Sequence, residues 1–281
     1  MNSNSMTRRN FVKMCGLGLV GAGVLGLAGC GQASGGTGAG TKTAAGYELV
    51  KEGKLTLVSN FYFPPFVSMN EKTGEHEGFD VDLYKAICAK LGLEPNILPT
   101  VQFDTIVPTI KQGGKADVSL GAITITDARA QEIDFSEPYL DSNQSIVVRK
   151  DAAATTKEQL NASGMQIAVQ SGTSGESWAK ENLPSATIVP LDDIIQALTG
   201  VQSNLYAAAV TDLPVSSYEI KVAYSDLTIP TGGEIPTGEQ YGVVVSKSNP
   251  ELTRAINKAL ADIKADGTMA ELQRKWFGKE V

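Results

Sequence analysis

The pattern that most constrains this chain is an alternation of short apolar runs with amphipathic stretches, beginning at Lys54 and continuing past Val245. "KLTLVS" reads as a buried strand, and "FYFPPF" stops it, because Pro64 and Pro65 have no N–H to give to a ladder. From Phe79, "FDVDLYKAICAKLG" places Leu83, Ile87 and Leu91 on one helical face, with Asp80 as the expected N-cap and Gly92 as the stop. "FDTIVPTIKQGG" repeats the logic, with Asp104 capping, Pro108 still in the first turn and Gly113 ending the helix. "ADVSLGAIT" is then a strand, and the series runs on through "MQIAVQ" (strand), "TSGESWAKENL" (helix), "ATIVP" (strand), "DDIIQALTG" (helix), "LYAAAV" (strand), "PVSSYEIKV" (helix) and "YGVVVS" (strand). Two amphipathic helices follow, one through Leu252, Ile256, Leu260 and Ile263, the other through Met269, Leu272 and Trp276. Such alternation implies an α/β fold of mainly parallel sheets covered by helices.

The first thirty residues belong to a different regime. Gly16, Gly18 and Gly21 match the dinucleotide fingerprint G-x-G-x-x-G, but no strand-like run precedes Gly16, so the context that gives the motif its meaning is missing. The apolar run 14–29 is shorter than the roughly 20 residues of a spanning helix and is flanked by Arg8, Arg9 and Lys13 with no acid nearby, as in the core of an export signal. "TRRNFVK" resembles the twin-arginine export motif, and "LAGC" resembles a bacterial lipobox, which would cut before Cys30 and leave it lipidated. Residues 30–46, rich in Gly, Ser, Thr and Ala, read as a flexible tether.

Cleavage would leave roughly 252 of the 281 residues, enough for two lobes with cores of their own. Loss of Arg8, Arg9 and Lys13 from the 24 basic residues sets 21 against 31 acidic ones. That balance disfavours nucleic acid or an anionic lipid surface as partner. Cys88 alone of the three cysteines would remain available, on the apolar face of its helix, which reads as a buried inert thiol and allows no internal disulfide. His76 is the one histidine and lies in the polar stretch "NEKTGEHEG", read as a surface loop. Metal clusters and histidine-based triads are therefore not expected, nor is any cofactor, and "GTSG" at Gly172 is one residue short of a nucleophile elbow.

In open parallel sheets a ligand sits beyond the carboxyl ends of the strands. That rule selects "SNFYFPPF", "GAITITDAR", "QSGTSGES" and "VTDLP". They supply Thr124 and Arg129, then Thr173 and Ser174 at the start of a helix whose free N–H groups favour an anion, then Asp212. A guanidinium that takes a carboxylate and a carboxylate that takes an ammonium together match a zwitterion. Periodicity alone equally allows Arg129 as an exposed helix charge and Asp212 as an N-cap before Pro214.

"EGFDVDLYKAICAKLG", "FDTIVPTIKQGGKADVSLGAITITDARAQEIDFSEPYLDS", "QSGTSGES", "VTDLPV" and "YGVVVSKSNPELTRAINKALADIKADGTMAELQRKWFG" resemble, in order and spacing, the family 3 extracytoplasmic solute-binding proteins of polar amino acid ABC transporters. The resemblance implies a type II, periplasmic-binding-protein-like fold with two α/β lobes, parallel-rich sheets with helices on both faces, and a two-strand hinge. Lobe 1 would comprise 47–140 and 238–281, lobe 2 would comprise 141–237, and the crossings would fall near Tyr139 and Gly238. It implies that Arg129 holds the ligand carboxylate with backbone N–H groups of Thr124 and Ser174. Asp212 would take the ammonium with the Thr124 hydroxyl and the Ala122 carbonyl, while Phe63 and Phe103 wall the pocket. Asn60, Gln170 and Thr211 would touch the ligand side chain. The run before Asp212 is "AAAV", where the family usually carries Asp-Ala-Val-Val, and the short approach Gly-Arg/Lys-x-Asp is missing from "TGVQSNLYAAAV".

The neutral Asn60, Gln170 and Thr211 favour a neutral polar ligand side chain such as glutamine's, since an unpaired buried charge is costly. Glu75 or Glu77, reaching in from a loop, would instead suit a basic amino acid. The partners implied are a polar amino acid, an ABC permease and the membrane through the lipid on Cys30, outside the cytoplasm. Two other functions stay open: an enzyme on the same fold, such as a cyclohexadienyl dehydratase, and a sensor domain, which would need a separate signalling partner because the sequence shows no second membrane segment or kinase-like domain before Val281.

Overall fold

A computed structural model of the chain describes residues 41–43 and 45–281. The expected export signal, Cys30 and most of the tether lie outside the described residues. No helix among the described residues is long and apolar enough to cross a membrane.

Two separate sheets carry the fold. The first is five-stranded, in the order Glu94–Ile97, Lys54–Val58, Val118–Ser119, Val244–Val245, Asp134–Phe135. Lys54–Val58 is parallel to both of its neighbours, whereas Val244–Val245 is antiparallel to both of its own. The second runs Thr187–Leu191, Gln166–Gln170, Ala208–Asp212, Leu140–Arg149, Leu227–Thr228, with Glu234–Tyr241 also paired to Leu140–Arg149. Its first three strands are parallel and the rest antiparallel, so each sheet is parallel only on one side.

Side-chain alternation sends each strand to two cores. Ile167 and Val169 pack with Ala208, Val210 and the helix residue Ala179, while Ala168 and Ala209 pack with Ile194, Leu198 and Val201 of the opposite helix. Lys54–Val58 does the same, with Leu55 and Leu57 toward Leu83 and Ile87, and Val58 toward Ile106 and Ile110. Period-2 burial on both faces is what two-sided helical cover requires.

The helices Phe79–Leu91 and Ile106–Gln112 end at Gly92 and Gly113, as read, and Gly92 is left-handed. Their starts differ from expectation. Asp80 lies inside the first turn after Gly78, wholly buried, and its carboxylate turns to other partners. Asp104 lies within the single 3-10 turn Phe103–Thr105, whose start has no side-chain cap. The strand expected in "ADVSLGAIT" is continuous only over Val118–Ser119, with Thr124 returning to a single antiparallel bridge with Tyr241, because the backbone between them turns through Gly121 and Ala122 at positive φ. His76 is in a short strand, His76–Glu77, with its ring 4.0 Å from that of Phe61; burial pulls its pKa down, with Lys85 adding to the effect.

Cys88 is 1% exposed, and burial pushes its thiol up to about 11, which makes it inert. Tyr84, wholly buried, joins the first helix to two strands: its hydroxyl donates to the Leu55 carbonyl (2.5 Å) and accepts from the Asn96 N–H (2.8 Å). Tyr84→Phe leaves both backbone groups without that partner, so it should lower stability by about 1–3 kcal/mol. A shift of the urea midpoint at constant slope checks it.

Candidate functional site

The ends of the strands converge as the topology demands. Phe63, Phe103, Ala122, Thr124, Arg129, Thr173, Ser174 and Asp212 line one small cavity between the two lobes. These are eight of the eleven ligand-binding residues expected from the sequence. The remaining three form its surroundings: Gln170 Nε2 donates to Asn60 Oδ1 across the cleft (3.1 Å) and to the Asp192 carbonyl (3.2 Å), and Asn60 donates to the Val101 carbonyl (2.7 Å). Thr211 is buried with its carbonyl accepting from Ser145 Oγ (2.8 Å). Glu75 and Glu77 do not line the cavity; Glu77 is engaged by Asn70 (2.9 Å).

Arg129 is placed by its own short helix, Asp127–Glu132, whose N-cap Thr126 accepts from the Arg129 N–H. Its guanidinium donates to the Thr124 carbonyl (2.7 Å) and, across the cleft, to the Gly172 carbonyl (2.9 Å). The charge sits 5.3 Å from the Phe103 ring centroid, so one aromatic both walls the cavity and holds the cation. Burial lowers the Arg129 pKa, and the charges of Asp212 and Glu239 raise it again.

Asp212 occupies the position before helix Leu213–Val222 but does not cap it. Its carboxylate instead accepts from the Tyr241 hydroxyl (2.5 Å) and from Gln144 Nε2 (2.8 Å). Burial raises its pKa to about 6 despite those donors and Arg129. Asp80 is raised to about 6 by the same cause, and its Oδ2 accepts from the Ala122 N–H and the Tyr139 hydroxyl, each at 2.7 Å. Ala122 has φ 53, a left-handed conformation that a non-glycine residue holds only when its surroundings impose it. Asp80 is thus a positioning residue for the backbone that lines the cavity.

Gly172 marks how closely the lobes meet. With φ +77, a Cβ added there would lie 2.8 Å from the Asp104 Cβ on the facing lobe. Thr124 and Ser174 hydroxyls lie 3.2 Å apart across the same boundary. These contacts across the cleft make the arrangement a closed one, with only about 10 Å3 left between the walls.

Sequence reasoning missed Gln144, Tyr241 and Glu239. Glu239 Oε2 accepts from Gln144 (2.8 Å) and Ser174 Oγ (3.1 Å) and lies 3.4 Å from Thr124 Oγ1. All three lie on the paired strands Leu140–Arg149 and Glu234–Tyr241, whose ladder shifts register between Ile235 and Glu239 near left-handed Gly238. A signal existed for Gln144: Ser142 and Gln144 stand at alternate positions of an otherwise apolar strand face, where buried polar side chains mark a site.

A sequence profile for bacterial extracellular solute-binding proteins, family 3, matches residues 55–279. This chain belongs to that family. Among its solute-binding relatives, the L-cystine-binding protein TcyJ of Escherichia coli (strain K12) is 29% identical over 233 residues, covering 83% of this chain and 86% of the relative. The glutamine-binding protein GlnH of an ABC transporter of Bacillus subtilis (strain 168) is 30% identical over 213 residues, 75% of this chain and 76% of the relative. A solved structure of an ancestral arginine-binding protein bound to glutamine superposes with a TM-score of 0.75 at 36% identity, covering 82% of this chain and all of that one. The two-lobed solute-binding fold is therefore the fold of this chain. Among the described residues of this family 3 protein, no group of three or more His, Cys, Asp or Glu is arranged to hold a metal.

The two raised carboxylates set a pH dependence of stability. Between about pH 4 and 6 the native state holds protons that the unfolded chain has released, so their contribution to stability grows as pH falls through 6 and is absent above it. In Asp80→Asn, Oδ1 keeps both donors, and the difference in stability between pH 4.5 and 7.5 should shift by roughly 2 kcal/mol relative to wild type. Urea unfolding at the two pH values measures it.

Proposed function

We propose that this chain is a non-catalytic extracytoplasmic receptor that closes its two lobes on a polar L-amino acid and presents it to the permease of an ABC importer. The observation that carries the reading is that Arg129 and Asp212, supplied by different lobes, line one cavity. Arg129 takes the ligand carboxylate together with N–H groups of Thr124 and Ser174, the latter at the start of helix Ser174–Asn182 with Thr173 as its N-cap. Asp212 takes the ammonium with the Thr124 hydroxyl and the Ala122 carbonyl. Two carboxylates, Asp212 and Glu239, stand against one guanidinium, a balance that favours a cationic group.

Phe63 and Phe103 enclose the ligand side chain, whose far end meets Asn60, Gln170 and Thr211. Those three are uncharged, which supports a neutral polar amino acid such as glutamine. The ligands for which these relatives are named, cystine, glutamine and arginine, agree in the amino acid core and differ beyond it. Histidine- or serine-based catalysis finds no support: the one histidine lies against Phe61, and Ser174 touches Thr124, Gln144 and Glu239.

On this reading the lobes divide at 47–140 with 238–281, and 141–237, and the crossings near Tyr139 and Gly238 involve the paired strands Leu140–Arg149 and Glu234–Tyr241. Opening and closing about these strands admits and encloses the ligand. Export by the N-terminal signal and a lipid on Cys30 keep the receptor beside its permease at the membrane. Cys30→Ala should abolish the lipid, read as loss of membrane fractionation and of the acyl mass; unchanged values for both would refute the anchor.

A thermal-shift panel of L-amino acids tests the main reading. At least one should raise the melting temperature, and Arg129→Ala or Asp212→Ala should remove that shift. No response to the whole panel would sink the proposal. Because an ammonium draws the raised pKa of Asp212 down, binding near pH 6 should also release protons, seen as a buffer-dependent calorimetric heat that Asp212→Asn reduces.

A further inference from the structure

Outside the cleft that holds Arg129 and Asp212, a second cavity of about 510 Å3 lies between the lobes. One wall, with Phe61, Tyr62 and Met69, follows the strand Lys54–Val58; the other, with Ile195, Glu219 and Tyr224, comes from the helices Ile194–Gln202 and Leu213–Val222 and the turn after them. Its volume falls in the range of small-molecule sites, about 300–1,000 Å3. Tyr62 and Met69 are each 47% exposed at its rim, large apolar surfaces left in water.

Glu219 is the feature that gives this cavity a chemistry. The residue is only 4% exposed, and among the described residues its carboxylate has no hydrogen-bond or ion-pair partner. Burial alone pushes its carboxyl up to about 7. The Tyr224 hydroxyl, also on the cavity wall, is engaged elsewhere, with Thr199 (2.9 Å) and the Ile195 carbonyl (3.3 Å). An ionised carboxylate in such a place is costly unless a cation reaches it.

We propose that this cavity binds a small organic ammonium with an apolar body, its cationic head on Glu219 and its hydrocarbon or ring between Phe61, Tyr62 and Ile195. A neutral occupant would leave the ionised acid without a counter-charge, and an anion would be repelled by it and by the exposed Glu71 at the rim. Aromatic walls suit a cation as well as its apolar body. Since each lobe supplies one wall, the occupant also favours the closed arrangement, and by reciprocity it strengthens binding in the main cleft. The inference uses none of the main-cleft residues and does not rest on the identity of the ligand there.

Phenethylamine is the probe, with 2-phenylethanol and phenylacetate as neutral and anionic controls of similar shape, added to the purified full chain in a thermal-shift titration. Phenethylamine should raise the melting temperature by a few degrees with saturation while the controls do nothing. Glu219→Gln, which keeps the shape and removes the buried charge, should abolish the response and keep the chain folded. Ala223→Trp, which fills the cavity from the end of its helix, should abolish it too, and Asp212→Ala should leave it intact. The proposal fails if wild type does not respond, if the three probes act alike, if Glu219→Gln responds as wild type does, or if Asp212→Ala removes the effect.

Discussion

Two tyrosine hydroxyls on two buried carboxylates hold the rest of this structure in place. Tyr139 and Tyr241 stand at one end of the paired strands Leu140–Arg149 and Glu234–Tyr241, with ring centroids 6.3 Å apart. One donates to Asp80, which orders the backbone at Ala122, and the other donates to Asp212, which faces the cavity. Ser142 joins the Tyr241 hydroxyl at 2.7 Å, so the crossing strands and the cavity share one hydrogen-bonded web.

That web works against a large desolvation cost. Asp80 and Asp212 each gain donors, yet burial still dominates and leaves both far above the ordinary carboxylate value. Folding retains them because the neighbouring N–H and O–H groups are themselves buried and would otherwise lack acceptors. Arg129 has the opposite sign and the same difficulty, and it is met with two carbonyls and a ring face. Charges held without a full counter-charge remain able to respond to one, and Glu219 in the second cavity is the least satisfied of them.

Much of this was legible in the sequence, and for identifiable reasons. Helix stops at Gly92 and Gly113, the two-sided strands and the strand-end positions of Thr124, Arg129, Ser174 and Asp212 follow from local periodicity and one topological rule. What did not follow is what depends on distant partners. An aspartate at a helix start reads as a cap from its neighbours, and only Ala122 and Tyr139, 42 and 59 residues away, make Asp80 a buried acceptor instead. Glu239 lies at a register shift in a ladder, where alternation no longer tells which side chains turn inward. The same holds for His76, which is flanked by polar residues yet half-covered by Phe61.

Gly172 has a consequence for evolution and for redesign. Its missing methyl group is the clearance that lets Asp104 and the helix start at Ser174 approach, and its carbonyl is the far anchor of Arg129. Any side chain there must displace Asp104 or the backbone, so this position acts as a spacer of fixed thickness between two facing surfaces. In redesign, a substitution at Gly172 therefore changes the separation of the two surfaces and the reach of the Arg129 anchor together.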